Sequence, residues 1–144
     1  MNYNIINANN NDLDYLKQAK LYNIFAFAHD LPEDEILKIN NYVDRNIPKE
    51  INEYKLIMVD NKRIGCYLVI KKDDGVMLDE IFLEDEFRNK GIGSSIINEI
   101  LESNNIVYLW VYKENINAIK LYKKLGFNIL EETETRYYMK YMQK

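Results

Sequence analysis

The chain has 144 residues, with 19 Lys or Arg against 23 Asp or Glu for a formal net charge of −4, and 47% of its residues are hydrophobic. That length predicts a single domain over residues 1–144 with a continuous core, while the acidic balance disfavours nucleic-acid binding driven by bulk charge and suits cationic small molecules. One cysteine, Cys66, and one histidine, His29, leave no internal disulfide and no Cys/His zinc site, so no metal is expected. In chain order, Tyr3 to Asn7 reads as a short strand, and the Asn9 to Asp12 cluster supplies caps for a helix carrying Leu13, Leu16 and Ala19. After His29-Asp30-Leu31-Pro32, the acidic run Glu33-Asp34-Glu35 opens a second helix with Ile36, Ile39 and Val43 on one face, ending near Pro48. Tyr54 to Val59, Ile64 to Ile70 and Val76 to Leu83 read as a three-strand antiparallel meander with turns at 60–63 and 73–75. A helical face (Ile96, Ile97, Ile100, Leu101), a strand at 106–112 and a helix bearing Ala118, Leu121, Tyr122 and Leu125 follow. Gly126 stops that helix, and strands at 127–130 and 137–142 close the chain as a hairpin. The order β-α-α-β-β-β-α-β-α-β-β predicts a mixed α/β or α+β domain of about seven strands, mostly antiparallel, with four helices. No basic leader or long apolar run is visible, so a cytoplasmic protein without a membrane partner is expected.

The chemistry concentrates at Arg88-Asn89-Lys90-Gly91-Ile92-Gly93-Ser94, between an apolar strand and an amphipathic helix. Two glycines let backbone approach a ligand, and amides at a helix start form an anion site that suits a pyrophosphate. Arg88 adds a forked cation. The Walker loop is absent, and the dinucleotide fingerprint lacks its third glycine because Ile96 stands there.

Here the chain resembles the GNAT superfamily of N-acetyltransferases, whose [RQ]-x-x-G-x-[GA] motif reads Arg88-Asn89-Lys90-Gly91-Ile92-Gly93. Its N-x-x-A-x-x-L-Y-x-x-x-G-F helix is similar to Asn115 through Phe127. The resemblance implies acetyl-CoA as cosubstrate, its pyrophosphate on the amides of residues 88–94 and its pantetheine arm along backbone at Phe82 and Leu83, in an opening between the fourth and fifth strands. It implies Tyr122 as proton donor to the departing thiolate, a backbone N–H near Leu83 for the oxyanion, and Asn115 as a pantetheine contact or helix cap. For the base it points to Asp79 or Glu80, of which strand alternation lets only one face the opening; Glu80 is preferred. Cys66 reads as buried filler, which favours direct attack by a primary amine, of a small molecule or a protein, over an acetyl-enzyme. The alternative is a non-catalytic acyl-CoA-binding or regulatory module. A homodimer is compatible with the resemblance, and the acidic segment Glu131 to Thr135 reads as a solvated turn.

Overall fold

The computed structural model describes residues 2–144. Its elements are β1 (Asn4–Asn7), α1 (Leu13–Phe25), α2 (Glu33–Lys49), β2 (Tyr54–Val59), β3 (Lys62–Lys71), β4 (Val76–Leu83), α3 (Ile92–Ser103), β5 (Ile106–Tyr112), α4 (Ile116–Leu125), β6 (Asn128–Glu132) and β7 (Arg136–Met142). The sheet is mixed, with strand order β1-β2-β3-β4-β5-β7-β6. The chain divides into two units, one running to Leu68 and including Glu80–Phe87, the other comprising Val69–Asp79 and Arg88–Lys144.

In the first unit, Asn9 caps a single 3-10 turn that runs into α1: its side chain accepts the Asn11 N–H at 2.8 Å, and Asp12 Oδ2 accepts the Asn9 N–H at 2.9 Å. Arg63 donates to the other Asp12 oxygen at 3.1 Å. Both oxygens of this buried carboxylate are therefore engaged, the condition for keeping a charge out of water. Leu16 and Ala19 of α1, Val43 and Ile47 of α2 and Tyr54, Leu56, Ile57, Cys66 and Leu68 of the strands form the core. α2 ends at Lys49, next to Pro48 as the sequence reading expects, with the proline inside its last turn. A proline in the last turn removes only its own N–H, and the Glu50 N–H still bonds the carbonyls of Asn46 and Ile47.

Asp60 and Asn61, both left-handed at φ 50° and 63°, join β2 to β3 in a two-residue turn, so β3 starts at Lys62, earlier than the sequence pattern suggests. The register then shifts from Ile57↔Gly65 to Met58↔Arg63, leaving Ile64 as a bulge. A Cβ on Gly65 would run into the Phe82 carbonyl oxygen, so β3 and β4 meet here at a distance only glycine permits.

In the second unit, β4 and β5 are parallel, with Val76 opposite Val107 and Met77 opposite Tyr108. β5 and β6 both pair antiparallel with β7. Val107, Leu109, Val111 and Met139 are buried, as are Ile92, Ile96, Ile97 and Leu101 of α3, at the helical spacing that makes one face apolar. The opposite face of β5 and β7 carries a ladder: Tyr108 stacks on Tyr138 at 5.4 Å, Tyr138 meets Trp110 at 4.6 Å, and Lys140 and Arg136 lie over its two ends. Cross-strand ring and cation contacts of this kind pin a register. β6 begins at Asn128 and not at Phe127, because Phe127 belongs to the turn after α4 and packs inward.

Candidate active site

The sequence-predicted residues are distributed over both units: Glu80, Phe82 and Leu83 belong to the first, and Arg88 to Ser94, Asn115 and Tyr122 to the second. In the second unit the chain enters α3 through two left-handed residues, Asn89 at φ 59° and Gly91 at φ 86°. Asparagine tolerates that region through local hydrogen bonding, and glycine enters it without steric cost. Gly91 is the N-cap, and the first helical bond runs from the Ser95 N–H to the Gly91 carbonyl at 3.0 Å. The N–H groups of Ile92, Gly93 and Ser94 therefore precede the helix's own acceptors and point out of its end. The first turn carries no acidic side chain, and a Cβ on Gly91 would meet nothing within 4 Å. An open helix amino terminus of undiminished positive potential is the geometry that receives a phosphate oxygen.

α4 is built to hold one phenol. Asn115 Oδ1 accepts the Ala118 N–H at 3.3 Å and starts the helix, which realises the capping half of its expected role. Gly126, at φ 108°, ends it, and the Phe127 N–H bonds the Tyr122 carbonyl at 2.9 Å. That turn folds Phe127 back so that its ring lies 5.6 Å from the Tyr122 ring and 5.7 Å from Tyr141. Tyr122 is buried, and loss of solvation pushes its pKa up to about 12. The phenol therefore keeps its proton throughout the neutral range.

β4 alternates as the sequence requires: Asp79 is exposed and Glu80, where the first unit resumes, is 7% exposed. Tyr54 and Cys66 lie close enough to feel the Glu80 charge, which adds to burial in raising both their pKa values, with Lys20 opposing it at Cys66. A buried, protonated thiol is a poor nucleophile. Folded protein should therefore resist alkylation at Cys66 by iodoacetamide and react fully once denaturant is added; fast labelling of the native state, read by mass spectrometry, would contradict this burial.

Farther along stand Phe82 on β4 and Glu84 just after it, which sequence reasoning did not join to α1. The Tyr15 hydroxyl donates to Glu84 Oε2 at 2.6 Å, and burial with that carboxylate's hydrogen bond raises the phenol's pKa. Phe82 meets Tyr15 and Tyr22 edge to face at 6.4 and 5.6 Å. A cavity of about 910 Å³ opens beside them, walled by α1 and the end of β4. The signal was present in Tyr15, Gln18, Tyr22 and Phe25, which recur along one side of α1 at helical spacing. His29 is exposed, and residues 131–135 are exposed with Glu132 paired to Lys113. Among the described residues no group of three or more His, Cys, Asp and Glu could hold a metal ion, and no helix is long and apolar enough to cross a membrane.

Residues 52–129 match the family model of the acetyltransferase (GNAT) domain. Over 63 residues the chain is 43% identical to an uncharacterized N-acetyltransferase of Methanocaldococcus jannaschii, covering 40% of this chain and 28% of that protein. Over 69 residues it is 28% identical to the spermine/spermidine N(1)-acetyltransferase of Bacillus subtilis, covering 44% of this chain and 45% of the relative. The matches thus span less than half the length of these relatives. The fold is similar to that of the PaiA N-acetyltransferase of Thermoplasma acidophilum, solved in complex with coenzyme A, at a TM-score of 0.80 and 18% identity over 99% of both chains.

Proposed function

From a chain that belongs to the acetyltransferase (GNAT) family, we infer an enzyme that moves the acetyl group of acetyl-CoA onto a primary amine by direct attack. The observation that carries this reading is the loop of residues 88–94, whose two left-handed residues deliver an open, acid-free helix amino terminus. Its amides and the Arg88 guanidinium suit the two negative phosphates of the CoA pyrophosphate. Phe82 and Leu83 offer backbone to the pantetheine arm, and Asn115 caps the helix that carries Tyr122.

Bound acetyl-CoA supplies an activated acyl carbon and a thiolate leaving group. The chain's part is to manage protons. Glu80 takes one proton from the incoming ammonium through intervening water, which frees the nitrogen lone pair to form the C–N bond as the C–S bond breaks. Tyr122 donates its proton to the departing sulfur and recovers one from the acetylated nitrogen through solvent. The products are the N-acetylamine, CoA thiol and one net proton. The burial of Cys66, which pushes its thiol pKa up, supports direct attack over an acetyl-cysteine route.

The test is thermal unfolding with and without acetyl-CoA, followed by a thiol-release assay with amines. Saturation at a hundred times Kd should stabilise the fold by about 2.7 kcal/mol, several degrees in Tm for a chain of this size. An unchanged Tm at millimolar acetyl-CoA would overturn the reading.

A further inference from the structure

The cavity of the first unit is mostly apolar, and its polar groups are few and specific. Tyr15, Tyr22, Phe25 and Ala19 line it from α1; Phe82 lines it from β4 and Glu84 from the residue that follows the strand. Glu84 is its one acidic residue. Because the Tyr15 hydroxyl engages Oε2, the carboxylate is held in one orientation and Oε1 is left to accept from a guest. The rings at Tyr15, Phe82 and Tyr22 meet edge to face, so their packing is already satisfied and the wall is preorganised.

We propose that this cavity is the acceptor pocket and that it selects a primary amine with a single positive charge on an aromatic or apolar stem. The inference rests on the acetyltransferase reading above. One carboxylate beside aromatic rings compensates one ammonium through a charge-assisted hydrogen bond and ring contact. A second ammonium drawn into the same cavity would lose its hydration and meet no second carboxylate on the lining, so polyamines are discriminated against by desolvation. The apolar stem gains by covering Phe25, Ala19 and the ring edges. Turnover transfers the acetyl group from acetyl-CoA to the amine nitrogen, releasing CoA thiol and one proton.

The experiment compares phenethylamine with spermidine as acceptors for the full chain, by initial rates of CoA thiol release, once CoA binding has been measured separately. The expected kcat/KM is roughly tenfold or more in favour of phenethylamine. Glu84→Gln keeps shape but removes charge and should raise KM for phenethylamine roughly tenfold or more, with kcat affected much less. Gln18→Glu alters an exposed lining position and supplies a second carboxylate, so it should raise kcat/KM for spermidine and narrow the preference. A wild-type preference for spermidine, an unchanged KM in Glu84→Gln, an unchanged preference in Gln18→Glu, or turnover of neither amine by protein that binds CoA each overturns the pocket assignment. Loss of CoA binding itself would remove the underlying reading as well, so the two failures are distinguishable.

Discussion

Tyr122→Phe is expected to lower kcat by roughly a hundredfold to ten-thousandfold, the range that a positioned general acid contributes, and to leave the CoA dissociation constant close to wild type. The ring and its 5.6 Å contact with Phe127 survive the change, so the fold should persist. What disappears is a proton that burial holds with a pKa of about 12. The sign of its pH dependence follows. The folded value lies above the ordinary 10.0, so the folded state binds this proton more tightly than the unfolded state does. Its contribution to stability is complete below pH 10 and is lost as pH rises through the folded value. Wild-type Tm should therefore fall above pH 10, and Tyr122→Phe should remove the part of that fall due to this phenol. Full activity in Tyr122→Phe would exclude the phenol as donor, and weakened CoA binding would assign it to ligand positioning instead.

Gly91→Glu should weaken CoA binding on the order of a hundredfold, because it places a carboxylate in front of the amides proposed to receive the pyrophosphate. The side chain has room, since a Cβ there meets nothing within 4 Å, but the residue must adopt φ 86°. That strain costs about 1–2 kcal/mol for a residue other than glycine. Gly91→Ala separates the two effects. It carries the same backbone strain without charge, so it should share the Tm loss and retain most of the CoA affinity. Titration calorimetry of the two variants reads the difference directly. Equal affinities for Glu and Ala at this position would mean that the helix end does not receive the pyrophosphate.

Much of this molecule is local and therefore legible in the chain. The Asn9 cap, the Asp60 to Arg63 turn region, the loop of residues 88–94 and the Asn115 to Phe127 pattern each act over a few residues. Capping, left-handed turn residues and helical spacing are properties of such short stretches. The alternation along β4 already required Asp79 and Glu80 to part company, though only the packed strand decides that Glu80 is the buried one. A boundary moved where a local rule met a neighbour: Phe127 left β6 to pack on Tyr122.

The Tyr15 and Glu84 pair joins residues 69 apart, and the Asp12 and Arg63 pair joins residues 51 apart. Each partner alone reads as an ordinary polar residue on a helix, turn or strand. Their pairing depends on which elements come to lie side by side, and that is set by burial of apolar faces across the sheet, where many weak contacts from distant parts of the chain must be satisfied at once. For the same reason composition and spacing marked out the loop of residues 88–94 and the helix that carries Tyr122, whereas the aromatic cavity with its single carboxylate took shape only when α1 settled against the end of β4.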